Sequence, residues 1–80
     1  MELRFIGIDP NTGDDECPTV WFDAESGEIV VQGWKANEKL LAKCRETGSI
    51  PDTEDVVRLP ARMASILRKA CDAAEGAHVR

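Results

Sequence analysis

Residues 18–35 read PTVWFDAESGEIVVQGWK. Two apolar runs with strand-period alternation flank the polar link Asp23-Ala24-Glu25-Ser26-Gly27-Glu28. In the first run Val20 and Phe22 point one way, and Thr19 and Trp21 the other. In the return run Ile29 and Val31 share a face, and Val30, Gln32 and Trp34 share the opposite one. Gly27 supplies the positive φ that a tight link needs. The stretch predicts a β-hairpin over 18–35, with Trp21 and Trp34 across from each other on its second face. A face that carries two indoles is not wholly solvated, so something must cover it.

Upstream, Leu3, Phe5 and Gly7 alternate with Arg4, Ile6 and Ile8, which predicts a strand with two partly buried faces. It ends at Asp9-Pro10, where proline removes an amide donor and aspartate favours a turn. Downstream, Asn37 is placed to cap a short helix from Glu38, with Leu40, Leu41 and Cys44 near one face and Gly48 as its C′ residue. Val56-Val57-Arg58-Leu59 reads as a short strand, and Pro60 fits the first turn of a second helix. Met63, Ile66, Leu67, Ala70, Cys71 and Ala74 form its continuous apolar stripe, opposite Arg62, Ser65, Lys69 and Asp72. Gly76 is expected to end this helix and the tail Ala77–Arg80 to fray. The expected fold class is α+β: a small antiparallel or mixed sheet of three N-terminal strands and one short later strand, packed by two helices. The expected order is β-β-β-α-β-α in one domain spanning residues 1–80.

The chain is 80 residues long and 42% hydrophobic, with two Trp, two Phe and no Tyr. A chain this short buries only about 60–65% of the surface its unfolded form exposes, so its core is thin and help from a partner or from self-association is expected. The net charge of −5 is unevenly placed: residues 1–33 carry eight acids and one base, whereas residues 34–80 carry seven acids and nine bases. This balance argues against direct nucleic-acid contact, which needs a basic patch. A solvated acidic surface accounts for the split, and an acidic docking face for a basic protein is the sharper alternative. Three cysteines, an odd number with no secretory leader pattern, suggest reduced thiols and a cytoplasmic setting. No apolar run approaches the about 18 residues that would span a bilayer.

The constellations that could carry chemistry are weak. Asp9, Asn11, Gly13 and Asp15 superficially suggest a calcium loop, but glycine falls at the fifth position counted from Asp9 and Val20 at the twelfth, against the sixth-position Gly and twelfth-position Glu of an EF-hand. An Asx-type turn with solvated charge is the expected reading. Cys17, Cys44, Cys71 and His78 contain no close ligand pair of the kind zinc sites use. Cys44 and Cys71 are expected as small buried hydrophobes, and carboxylates near Cys17 disfavour its thiolate. His78 is alone in the tail, so no nucleophilic triad can be assembled, and no cofactor motif is present. Arg58, Arg62, Arg68 and Lys69 form a basic cluster whose solvated face balances the acidic half or meets an acidic partner. Trp34 ends a strand beside Gly33 and Lys35, a setting for an edge-of-core ring or an interface anchor.

At VVQGWK and again at VVRLPARM the chain resembles a group of small uncharacterised actinobacterial proteins, often encoded next to helix-turn-helix regulators. The resemblance also takes in the opening LRFIGIDPNTGDDECPTVW and the hairpin. Its motifs are structural, carry over no active-site residue, and imply a cytoplasmic accessory role in regulation.

The expected function is a small protein-interaction module, accessory to a transcriptional regulator or forming a homodimer. Asp14, Asp15, Glu16, Trp21, Trp34, Arg58 and Arg62 are its candidate contact residues. The alternative is a small-ligand or metal-binding sensor built on the acidic 9–16 loop. An enzyme ranks third, because it would need a carboxylate of raised pKa in a cleft.

Overall fold

The computed structural model describes residues 1–11 and 16–78, with Ala77 and His78 given by backbone alone. The chain runs through β1 (Leu3–Ile8), β2 (Thr19–Asp23), β3 (Glu28–Gln32), β4 (Trp34–Lys35), α1 (Glu38–Arg45), β5 (Val57–Arg58), a 3₁₀ turn (Ala61–Met63) and α2 (Ala64–His78). The class is α+β, as expected, with one more strand before α1.

β2 and β3 form the expected antiparallel hairpin, with Val20 opposite Val31, Trp21 opposite Val30 and Phe22 opposite Ile29. Gly27 turns the link at φ 76°. Asp23 holds that turn together: its Oδ1 accepts the amides of Glu25 at 3.0 Å, Ser26 at 3.4 Å and Glu2 at 3.3 Å. β1 pairs antiparallel with the free side of β2, giving a three-stranded sheet in the order β1-β2-β3. The register slips between Phe5 and Gly7, the mark of a β-bulge.

The return strand does not continue to Lys35; it breaks at Gly33. A Cβ on Gly33 would lie 2.6 Å from the carbonyl oxygen of Arg58, so the two backbones pass at a distance only glycine allows. Beyond the break, Trp34 and Lys35 pair with Arg58 and Val57 in a separate two-stranded sheet. The expected strand over Val56–Leu59 is therefore shortened to Val57–Arg58. The expected apposition of Trp21 and Trp34 is also corrected: Trp21 stands between Phe5 and Val30, and Trp34 stands opposite Arg58.

α2 lies across all three strands of the larger sheet. Val20, Met63 and Ala70 are fully enclosed, and Ile6, Leu59, Ile66 and Leu67 pack around them. Phe22 is buried on the same side of the sheet. Burial on this side supplies the main driving force for folding. The apolar stripe read from the sequence is mostly the face α2 turns inward, except that Cys71 is exposed rather than buried. Nor does Gly76 end the helix, which runs on to His78. Val79 and Arg80 of the expected frayed tail lie outside the described residues.

α1 begins as expected, with Asn37 Oδ1 accepting the Leu40 amide at 2.9 Å. It ends at Arg45 rather than at a left-handed glycine. The amides of Glu46 and Thr47 bond back to Lys43 at 3.2 Å and Cys44 at 3.0 Å, a tightened final turn that leaves Gly48 no capping role. Leu40, Leu41 and Cys44 are half-buried, and no residue of α1 is fully buried. Among the described residues, no helix is long and apolar enough to cross a membrane.

Candidate functional site

The helix covers one side of the three-stranded sheet. On the other, the open side, Thr19 and Asp23 of the central strand are buried, Trp21 and Val30 are half-buried, and the side chains that β1 places there are exposed. Register decides which side chains stand there. Phe5 pairs with Trp21 and Trp21 with Val30, so these three form one row across all three strands. Leu3 lies opposite Asp23 and Ile8 opposite Thr19, which places both on the same side as the row. The bulge makes this possible. It turns Ile6 and Gly7 together toward α2, where a Cβ on Gly7 would meet the Ile66 side chain at 2.9 Å, and restores Ile8 to the open side. The result is an apolar surface with Phe5 62% exposed, Leu3 45% and Ile8 42%, beside the half-buried Trp21 and Val30. Cross-strand aromatic and β-branched pairs of this kind hold a sheet together by about 0.2–1 kcal/mol each, yet here the outermost ring remains mostly in water.

The surroundings of this face are acidic. Glu28 pairs in register with Asp23 at its turn end. Burial pushes the Asp23 carboxyl up, but the amides of Glu25, Glu2 and Ser26 and the Ser26 hydroxyl together bring its pKa below the ordinary value, so it stays ionised at neutral pH. Arg4 is the one basic side chain in residues 1–33, and its guanidinium bonds Glu2 at 2.8 and 3.2 Å.

The contact residues expected from the sequence separate into three places. Trp21 is on the open face. Trp34, Arg58 and Glu16 line a cleft of about 420 Å³ at the break between the sheets, together with Cys17, Gln32 and Lys35. There the Arg58 guanidinium lies over the Trp34 ring, 5.7 Å from its centre, within cation–π range. The Trp34 indole N–H is buried with no acceptor among the described residues. Arg62, expected to face outward, is engaged within the chain: its Nε and Nη2 donate to Oδ1 and Oδ2 of Asp9, both at 2.7 Å. Asp14 and Asp15 lie outside the described residues.

The start of the acidic loop is the Asx turn expected, with the Asn11 amide donating to Asp9 Oδ1 at 3.1 Å. Its charge is not solvated, however, because the Asp9 side chain is almost wholly enclosed against Arg62. The hydrogen bonds from Arg62 are the main reason its carboxyl is held below the usual range. Burial opposes them and the Asn11 amide assists. Both Asp9 oxygens thus accept hydrogen bonds within the protein. Among the described residues, no group of three or more His, Cys, Asp or Glu side chains is placed to hold a metal ion.

Leu3, Phe5 and Ile8 are not among the contact residues expected from the sequence. The alternation of β1 predicts two partly buried faces; Leu3 and Phe5 stand on the open side by that alternation, and the bulge between Phe5 and Gly7 brings Ile8 back to the same side. The signal that was available is that three strands and one long amphipathic helix can cover only one side of a sheet. Comparison of the chain with protein-family models, curated proteins and solved structures finds no match.

Proposed function

We propose that the chain is a small cytoplasmic protein-interaction module that works through the open face of its three-stranded sheet. The observation that carries this reading is the register row Phe5–Trp21–Val30 with Leu3 and Ile8 beside it: large apolar side chains gathered on one side, Leu3, Phe5 and Ile8 exposed and Trp21 and Val30 half-buried. Scattered surface hydrophobes are ordinary, whereas a contiguous apolar patch within a polar surround is the usual mark of a binding surface. Aromatic side chains at its centre suit an anchoring role. The partner expected first is a transcriptional regulator, on the resemblance to small actinobacterial proteins encoded beside such regulators.

A photo-reactive phenylalanine analogue placed at position 5, with the same group at Arg68 on α2 as control, tests the reading in cells. Irradiation is expected to yield a discrete protein adduct from position 5 and none from position 68. Equal adduct patterns at the two positions, or none at either, would remove the open face as an interface.

A further inference from the structure

The geometry points to one kind of occupant for the open face: a basic amphipathic α-helix contributed by another protein. This rests on the reading of that face as an interface, and it follows from size, from layering and from charge.

Size comes first. Three strands about 4.8 Å apart and about 17–20 Å long present a projected area of roughly 250 Å². A stable interface between two folded proteins takes about 800 Å² from each partner. Even with allowance for side-chain relief, the face alone is too small to hold a second copy of the chain. A helix of about 12–14 residues is about 18–21 Å long and about 10 Å across, which suits a three-stranded platform. The sheet already shows this fit on its other side, where the 15-residue α2 lies across β1, β2 and β3. A helix on the open side would complete a helix–sheet–helix sandwich, with Phe5, Trp21 and Val30 meeting apolar positions at i, i+3, i+4 and i+7.

Charge sets the rest of the partner's chemistry. Of the eight acids in residues 1–33, Asp9 is enclosed against Arg62, Glu25 pairs with the N-terminal ammonium, and Asp14 and Asp15 lie outside the described residues; the one basic side chain of this segment is bonded to Glu2. Glu28 and the ionised Asp23 mark the turn end of the face. Arg68 and Lys69 belong to α2, on the far side of the sheet. A helix with Lys or Arg flanking its apolar stripe meets complementary charge, and one flanked by Glu meets repulsion.

The test uses the full chain carrying Trp34→Phe, so that Trp21 is its single indole. The probes are a 14-residue Leu–Lys amphipathic peptide and its Leu–Glu counterpart. The Leu–Lys peptide is expected to shift Trp21 emission to the blue and to gain helical circular dichroism, and the Leu–Glu peptide to bind at least tenfold more weakly. Phe5→Glu is expected to weaken Leu–Lys binding at least tenfold, although an added negative charge would strengthen a purely electrostatic contact. Phe5→Ser, which adds no charge, is expected to do the same and serves if Phe5→Glu does not fold. Unchanged or tighter binding by these variants, or equal binding of the two peptides, overturns the proposal. Sedimentation separates it from the broader reading. A dimer that Phe5→Glu makes monomeric would show the face in use by a second copy, ending the helix proposal and leaving the interaction module standing. A monomer that binds neither peptide and gives no adduct from position 5 ends both.

Discussion

Arg62 donates two hydrogen bonds of 2.7 Å to the enclosed carboxylate of Asp9, across 53 residues of chain. The paired, planar geometry is the one a guanidinium fork provides and an ammonium cannot. Asp9 follows directly on β1, and its amide donates to the Pro18 carbonyl at 2.9 Å, just before β2. Arg62 lies in the turn that opens α2, beside the enclosed Met63. One ion pair therefore joins both ends of the acidic loop to the helix that covers the core. Arg62→Lys is expected to destabilise the fold although charge is kept, and Asp9→Asn to do so by leaving Arg62 without its anion. Urea titration checks both, and a midpoint unchanged in Arg62→Lys would show that charge alone suffices.

Acid should unfold the protein through the same carboxylate. Asp9 and Asp23 both have pKa values below the ordinary 3.8 in the folded chain. Over the range between the folded and unfolded values, the unfolded state binds more protons, so stability rises with pH there. The contribution is complete above about pH 5, declines as pH falls through 3.8, and is lost below the folded values. Urea midpoints measured from pH 7 to pH 2 are expected to fall along this course, with a shallower acid limb in Asp9→Asn. An acid limb identical to that of the natural chain would show that Asp9 does not titrate in this range.

Gly33→Ala should be among the most damaging small substitutions. Its new Cβ would meet the Arg58 carbonyl oxygen at 2.6 Å, and that oxygen belongs to backbone that cannot rotate away. Overpacking of this kind costs about 1–3 kcal/mol. Gly7→Ala should cost less, because its nearest obstacle is the Ile66 side chain at 2.9 Å. Gly48→Ala, which meets open space, is the control. Similar urea midpoints for the alanine variants at positions 33 and 48 would show that β4 and β5 do not approach so closely.

The hairpin, the Asn37 cap and the stripe of α2 were legible because each is local: alternation, a capping side chain, a helical period. What was not legible depends on residues far apart in the chain. Gly33 reads as part of one strand, and only the passing Arg58 carbonyl reveals why the strand breaks there and carries Trp34 away from Trp21. Asp9 and Arg62 each read as surface charge because their partner is distant in sequence. Cys71 falls within the apolar period of α2 yet remains exposed, since the small sheet does not reach the whole width of the stripe. Among the expected contact residues that are described, Trp21 alone lies on the open face; its neighbours Leu3 and Phe5 stand there by strand alternation, and Ile8 through the bulge.

The two phenylalanines should behave oppositely. Phe22 is buried against the helix side, and Phe22→Ala is expected to cost about 3–5 kcal/mol. Phe5 is 62% exposed, and Phe5→Ser should change stability by less than about 1 kcal/mol, chiefly through its cross-strand contact with Trp21. Thermal or urea denaturation of the isolated protein measures both. A Phe5→Ser loss as large as that of Phe22→Ala would mean that the ring is covered in solution, as in a self-associated form, and the loss would then depend on protein concentration.

Trp34 offers the last prediction, and it runs against the habit of treating a tryptophan as an anchor. Its indole N–H is buried without an acceptor among the described residues. An unsatisfied buried donor costs about 1–3 kcal/mol, whereas the contact with the Arg58 guanidinium contributes about 0.5–1 kcal/mol at an exposed site. Phenylalanine keeps an aromatic face for Arg58 and removes the orphan donor. The ring is only half-buried, which limits the packing lost with the smaller side chain. Trp34→Phe is therefore expected to leave the urea midpoint unchanged or raised, by no more than about 2 kcal/mol in unfolding free energy. Trp34→Ala, which loses ring and cation contact together, is expected to lower it. A loss above about 1 kcal/mol in Trp34→Phe would mean that the N–H has a hydrogen-bond partner in solution, and a protected indole proton in the NMR spectrum would identify the same partner independently.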